Sequence, residues 1–404
     1  MHNRARCQAE ILLSALCKNP GPALKFGLFG ANCAGGMTLS AAPERWRAEW
    51  NEIADVYRLA DEAGIEFILP IAKWRGLGGK ADMWGRSYET FTHSAAAGAI
   101  TRRIGVFVTA HVPITTPAFA AKAISTIDHV TGGRAGLNIV CGWNPDEFDI
   151  HGAKIDYARR YDHGLEWFKI YARMCEGDAP FDWDGAFFKL RGVTTDPLPV
   201  QRPRPPVMSA GISSAGRDFA AQAADILFTQ LPTNLSETPE LIQSVQRAAA
   251  QYGRSTDVYT QTQVVCRSTR KEAEDFYHYF AHEQADEEAL AYFQGKKLKT
   301  IGKNVSEYPH YEELQSTKPA GTPGKPYRGI FPGMLPIVGS PDDVVEKLKQ
   351  LSATGIVGSA LVFLNYLTEI PLFIQEVLPR MERVGLRHPQ TAPEAVPAMS
   401  RVEK

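Results

Sequence analysis

Eight short runs rich in β-branched and aromatic residues recur along the 404-residue chain, each separated from the next by a stretch long enough for a helix. The runs are 25–30, 65–71, 104–110, 135–141, 206–210, 225–229, 258–266 and 359–364. Helical periodicity occupies 42–63, 88–100, 117–130, 160–175, 214–223, 237–252, 269–292, 341–353 and 368–383. Eight strand–helix units in one chain predict an α/β fold, a (β/α)8 barrel. The alternative is a doubly wound sheet, which usually places G-x-G-x-x-G after its first strand. Here the first run leads into Gly30-Ala31-Asn32-Cys33-Ala34-Gly35-Gly36, which has the wrong spacing. A phosphate loop is also missing: Gly79-Lys80 is followed by Ala81, with no glycine at the required upstream place.

Two insertions interrupt the rhythm. Residues 178–205 contain Phe181-Asp182-Trp183-Asp184-Gly185, which reads as a hairpin turning at Asp-Gly. Residues 295–339 hold Pro, Gly, Tyr and Lys throughout and read as a lid or binding loop on the C-terminal face, where barrel active sites lie. The expected organisation is an N-terminal extension at 1–24, one barrel domain at 25–385 and a tail at 386–404.

Composition narrows the functions. Lys plus Arg number 44 and Asp plus Glu 45, so no charge footprint for nucleic acid or an anionic membrane exists. No apolar run reaches the length a membrane helix needs. Six scattered cysteines make no CxxC pair, so they read as reduced and the chain as cytoplasmic. No His/Cys/Asp cluster has metal-ligand spacing, so no metal is expected.

In a barrel, the residues at strand ends carry the chemistry. Run two leads into Ala72-Lys73-Trp74-Arg75-Gly76-Leu77-Gly78-Gly79-Lys80, a cationic, glycine-rich loop that either closes over an anionic or planar ligand or is a solvated turn. Asn138 lies inside an apolar strand and requires a hydrogen-bond partner, backbone or ligand. Trp143 offers a flat wall beyond it. Gly211-Ile212-Ser213-Ser214-Ala215-Gly216 opens a helix, which is either an anion site or simple capping. His111, near a strand end, is either a general acid or base or a structural histidine. Cys141 reads as a packed thiol, and 35–40 have no assignable role.

Several segments carry a resemblance. Lys73-Trp74-Arg75-Gly76-Leu77-Gly78-Gly79-Lys80, the run Thr126-Ile127-Asp128-His129-Val130-Thr131-Gly132-Gly133-Arg134, and Asn138-Ile139-Val140-Cys141-Gly142-Trp143 match the bacterial-luciferase-like, flavin-dependent monooxygenases. So do Arg159-Arg160-Tyr161-Asp162, the Gly211–Gly216 turn and Asp286-Glu287-Glu288-Ala289-Leu290. The resemblance covers about 25–385 and is nearest to the pyrimidine-monooxygenase branch; dimethylsulfone and alkanesulfonate monooxygenases are more distant. It implies FMN across the C-terminal mouth, with Ala72, Lys73, Asn138, Glu147, Arg160, Tyr161, Gly211 and Ser213 at flavin contacts. It implies a pocket for oxygen and substrate made by Leu69, Ile71, Thr109, Asn138 and Trp143, with Arg75 beside it; the catalytic candidates are Thr109, Asn138 and Trp143, together with His111 from its place at a strand end. The chain departs from that branch at His111, where a small residue is expected, and in 295–339.

The activity implied is a two-component monooxygenase. It would take reduced FMN (FMNH2) from a separate NAD(P)H:flavin reductase, with O2 as co-substrate, and oxidise a small heterocycle or amide with C–N cleavage. The alternatives are a sulfone or alkanesulfonate monooxygenase, in which Lys73, Arg75 and Arg160 meet a sulfonate, and a flavin-binding protein without turnover. A barrel hydrolase needs a nucleophile–base pair that the chain lacks. The resemblance also implies a homodimer or homotetramer.

Overall fold

A computed structural model describes residue 16 and residues 23–388, apart from 143, 155, 178, 232–233 and 302–328. Trp143, Cys7, Cys17, the central part of the 295–339 insertion, the tail beyond 388 and nearly all of the N-terminal extension therefore lie outside the described residues.

Eight parallel strands close on themselves. They are β1 (Lys25–Phe29), β2 (Phe67–Leu69), β3 (Gly105–His111), β4 (Ala135–Val140), β7 (Val207–Ala210), β8 (Ile226–Phe228), β9 (Asp257–Cys266) and β11 (Gly358–Val362), the last pairing back with β1. Helices connect them: α1 (Trp50–Glu62), α2 (Thr90–Ile100), α3 (Pro117–Thr131), α4 (Pro145–Asp149) with α5 (Arg160–Glu176), α6 (Ser214–Ala223), α7 (Thr238–Gln251), α8 (Arg270–His278), α9 (Glu287–Ile301), α10 (Pro341–Ala353), α11 (Tyr366–Leu372) and α12 (Leu378–Arg383). The expected (β/α)8 barrel is the fold, and the doubly wound alternative is excluded by the closure. In the first insertion β5 (Phe181–Asp184) and β6 (Lys189–Val193) form the antiparallel hairpin the sequence indicated. Glu166 holds its turn by accepting from the Trp183 indole and from the backbone N–H groups of Ala186, Phe187 and Phe188.

Three expectations change. The second insertion is not loop throughout. It begins inside α9 and ends in a strand, β10 (Leu335–Gly339), which pairs with the outer half of β9 beyond the reach of β8. The periodic segment 269–292 is two helices, α8 and α9, joined by one wide turn at Tyr279–Glu283 and the Gln284–Asp286 link. The first helix starts at Trp50 rather than near 42, after a segment in which Ala48 takes φ 54°.

Strand alternation sorts the core into two. Side chains such as Phe26, Leu28, Ile68, Val106 and Leu137 point out under the helices. Phe67, Phe107, Met208, Ile226 and Tyr259 point in. The inward layer has a repeated device. Phe67 sits opposite Gly27, Phe107 opposite Gly136, and Tyr259 opposite Gly358 in the strand register. Each ring lies over its glycine so closely that an added Cβ would come within 2.2, 2.6 and 2.3 Å of it, respectively. The rings also meet one another, Phe67 to Phe107 at 6.0 Å and Phe67 to Tyr259 at 5.7 Å between centroids. Three aromatic side chains thus fill the barrel axis because three neighbours have no side chain.

Gly27→Ala is expected to destabilise the protein by about 1–3 kcal/mol through overpacking of the Phe67 ring. Gly132→Ala, which meets open space but sits at φ 66°, tests the left-handed penalty alone. Chemical denaturation of both variants checks this: an unchanged midpoint for Gly27→Ala would show that the ring layer yields freely.

Candidate active site

Two residues further along each strand, the same inward face forms the floor of a cavity. Phe29, Thr109, Asn138, Ala210, Phe228 and Gln261 stand one step above Gly27, Phe107, Gly136, Met208, Ile226 and Tyr259, and all six line it. The cavity opens at the C-terminal mouth, and its empty space, with the solvent at the opening included, is about 1170 Å3.

On one wall, β3 and β4 pair Thr109 with Asn138. The Thr109 hydroxyl donates to the Pro70 carbonyl at 2.5 Å, so its oxygen is free to accept from Asn138 Nδ2 at 3.1 Å. That relay fixes which way the Asn138 amide faces. Its Oδ1 is left buried with no partner among the described residues. His111, two residues beyond Thr109, is 5% exposed, and its Nδ1 also lacks a partner among the described residues. Burial pushes its pKa down to about 4, so the ring is neutral. Phe148 meets it edge to face at 5.9 Å.

The β2 end is held by Asn32. Its carboxamide donates to the carbonyls of Ile71 and Tyr88 and accepts from the Ile71 N–H at 2.8 Å. Ile71, Ala72 and Lys73 then line the cavity. Lys73 Nζ lies 3.3 Å from Glu147 Oε2, with side chains 4% and 1% exposed, and 4.4 Å from the centre of the Trp84 ring. Glu147 Oε1 accepts from the Trp74 N–H at 3.2 Å. This is a buried pair in which each partner compensates the other's desolvation.

A third wall is built at the start of α6. Ser213 caps the helix by accepting from the Gly216 N–H at 3.2 Å and lies 3.5 Å from the Tyr161 hydroxyl. Arg160 donates to the Tyr157 carbonyl at 2.7 Å and spreads over the Tyr157 and Tyr161 rings. A Cβ on Gly216 would come 2.7 Å from the Tyr161 hydroxyl, and one on Gly211 would come 2.7 Å from the Gly216 carbonyl oxygen. The two glycines therefore let Tyr161 and the helix start close around a small space. A helix N-terminus, a guanidinium and two hydroxyls favour an anion there.

The mouth is closed by distant segments. α9 contributes Phe293, and the stretch before β10 contributes Phe331. Asp286, at the start of α9, accepts from the Ala289 N–H and, across the mouth, from the Ala81 N–H at 2.6 Å. Gly79 fits beside that carboxylate at φ 73° only without a Cβ.

Of the residues singled out from sequence, the cavity gathers Ile71, Ala72, Lys73, Thr109, His111, Asn138, Arg160, Tyr161 and Ser213. Glu147 stands behind the wall, bonded to Lys73. Gly211 packs against Gly216 at the helix start. Leu69 is buried in the barrel interior and lines none of the cavity, and Arg75 is on an exposed part of the loop. Trp143 is outside the described residues. Cys141 lines the cavity as a thiol, its pKa pushed up to about 12 by burial. Among the described residues no group of His, Cys, Asp or Glu could hold a metal ion, and no helix is long and apolar enough to cross a membrane. Sequence reasoning passed over Asn32, Met37, Trp84, Gln261, Phe293 and Phe331. Gln261 and Asn32 carry the signal that exposed Asn138, a carboxamide in an apolar setting.

The neutral histidines give a pH dependence of stability. His93, buried against Tyr57, also has its pKa lowered to about 4 by burial. Unfolding therefore takes up a proton at each ring below the ordinary value of 6.5, so stability falls as pH drops from 6.5 toward 4 and is insensitive to these groups above it. Between about pH 7 and pH 5 each should remove on the order of 2 kcal/mol. His111→Phe should shrink that pH difference by its own share; denaturant titrations at both pH values showing the same difference in the variant would refute the assignment.

Comparison with known proteins agrees with this geometry. The family model described as luciferase-like monooxygenase matches residues 24–358. Pyrimidine monooxygenase RutA of Methylobacterium radiotolerans is 30% identical over 374 residues, covering 90% of this chain and 93% of its own. RutA of Escherichia coli O139:H28 is 29% identical, covering 89% of each chain. Among solved structures, DmoA from Hyphomicrobium sulfonivorans superposes with a TM-score of 0.76 at 17% identity, covering 92% of this chain and 90% of that one. Long-chain alkane monooxygenase LadA superposes at 0.75 with 19% identity, covering 92% and 94%. At such identities these two speak for the fold.

Proposed function

Since the chain belongs to the luciferase-like monooxygenase family and is a flavin-dependent monooxygenase using O2, we propose that it works with reduced FMN from a separate NAD(P)H:flavin reductase and oxidises a small heterocycle or amide with C–N cleavage. The observation that carries the reading is the pairing, in one cavity, of an anion cradle at the start of α6 with an orphaned amide acceptor at Asn138. The cradle suits a flavin phosphate, and the acceptor suits a ring N–H. The likeness to relatives named as pyrimidine monooxygenases supports the C–N chemistry.

Bound reduced FMN supplies the electrons that activate O2 for transfer of one oxygen atom to a substrate. The residues do the rest. Ser213, Tyr161 and Arg160 bind the phosphate and set where the ring lies. Asn138, oriented by Thr109, holds the ring edge, and the Thr109–Asn138 pair faces the oxygen with fixed dipoles. Lys73, neutralised by Glu147, adds a positive edge without a free charge. Neutral His111 hydrogen-bonds substrate rather than trading protons near neutrality. Phe293, Phe331 and Trp84 exclude water, which protects against wasteful release of hydrogen peroxide. A cytoplasmic homodimer or homotetramer with 25–385 as its catalytic domain completes the proposal.

Anaerobic titration with reduced and oxidised FMN, followed by admission of oxygen, tests it. Tighter binding of the reduced form is expected; absence of binding by either form would end the flavin reading. Ser213→Asp should weaken FMN binding about tenfold or more by setting a carboxylate against the phosphate, and an unchanged Kd would remove Ser213 from the cradle. Asn138→Ala should retain the fold and flavin yet convert most of the oxygen consumed into hydrogen peroxide. A product yield per oxygen equal to that of the unaltered protein would refute its role.

A further inference from the structure

The cavity is chemically two-sided. The α5–α6 side carries Arg160, Tyr161 and Ser213. The side made by β1, β8, β9 and the mouth segments carries rings and amides. Trp84 and Phe331 have centroids 5.5 Å apart, and Phe331 and Phe293 4.6 Å apart. Phe29 and Phe228 form a second pair at 5.1 Å. Two aromatic clusters from distant parts of the chain thus face the same space. The Phe331 segment is held in place, its N–H donating to the Met37 carbonyl and the neighbouring Pro332 carbonyl accepting from Gln230 Nε2 at 2.9 Å.

Gln261, 5% exposed, lines the same cavity, and among the described residues its side-chain amide makes no hydrogen bond. The next inward residue of β9, Gln263, accepts from the Thr38 hydroxyl and leaves Nε2 buried without a partner. An unpaired buried amide is costly. A side-chain amide sets a donor beside an acceptor, which matches the N–H and C=O edge of a lactam or amide. The one cation of the described lining on this side, Lys73, is engaged by Glu147 and by the face of Trp84, and no carboxylate is among the described residues that line the cavity.

We propose that this side binds the substrate, and that the substrate is a neutral, flat aromatic compound with a lactam or amide edge, stacked among Trp84, Phe331 and Phe228 and read by Gln261. Calling it the substrate rests on the flavin reading above; the ligand class rests on the rings and amides themselves. The apolar ring area favours a fused bicycle over a bare pyrimidine. Among the described residues on this side, the one cation in reach of a sulfonate is Lys73, already paired with Glu147.

Calorimetric titration of the full-length protein, with and without saturating FMN, uses 2-quinolone, N-methyl-2-quinolone, uracil and 1-octanesulfonate as probes. 2-Quinolone should bind most tightly. Gln261→Leu should weaken it about tenfold while changing N-methyl-2-quinolone less than about twofold. Phe331→Leu, which keeps an apolar side chain but removes the ring, should weaken both quinolones about tenfold; matching circular dichroism spectra exclude misfolding. Tighter binding of uracil or octanesulfonate than of 2-quinolone overturns the ligand class, as does unaltered 2-quinolone binding in both variants. Binding of 2-quinolone without binding of FMN supports the ligand class and overturns only the flavin reading. Binding of FMN with no binding of 2-quinolone overturns the ligand class alone.

Discussion

The barrel depends on a steric bargain between rings and glycines in neighbouring strands. Phe67, Phe107 and Tyr259 can occupy the axis only because Gly27, Gly136 and Gly358 leave the space. The interior so filled is rigid, since close-packed side chains leave no slack. The floor of the cavity sits one inward step above that layer. Thr109, Asn138 and Gln261 therefore inherit their positions from the strands rather than from loops, the kind of support that holds polar groups to fractions of an ångström.

On this floor the protein leaves specific atoms unsatisfied. Among the described residues, Asn138 Oδ1 and His111 Nδ1 have no partner, and the Gln261 side chain faces the cavity without a hydrogen bond. Yet Lys73 and Glu147, far costlier to bury, are paired, and Asn32 is bonded at both ends. Unpaired buried atoms also occur away from the cavity, as at His93, Tyr171 and Gln201, so it is the position of Asn138 and His111 on the cavity wall that opens them to a ligand.

Much of this was legible in the sequence, and the limits have physical causes. The strands stood out because a two-residue alternation is local, and Ser213 because helix starts have short signatures. β10 was hidden because five residues bounded by proline and glycine resemble the loop around them. The break at Tyr279–Glu283 was hidden because one wide turn preserves the apolar face on either side. The Lys73–Glu147 pair spans 74 positions and the Trp84–Phe331 contact far more, so no window along the chain contains both partners. Gln261 was visible but was absorbed into the strand that carries it.

One carboxylate has a wider consequence. Asp286 belongs to the start of α9, yet it also holds the backbone of the glycine-rich loop at Ala81, 205 positions earlier. The loop after β2 and the start of α9 are thus tethered to each other. Fixing one reduces the entropy lost on fixing the other. The carboxylate thus ties the two halves of the mouth at one point, between the loop that carries Trp84 and the helix that carries Phe293.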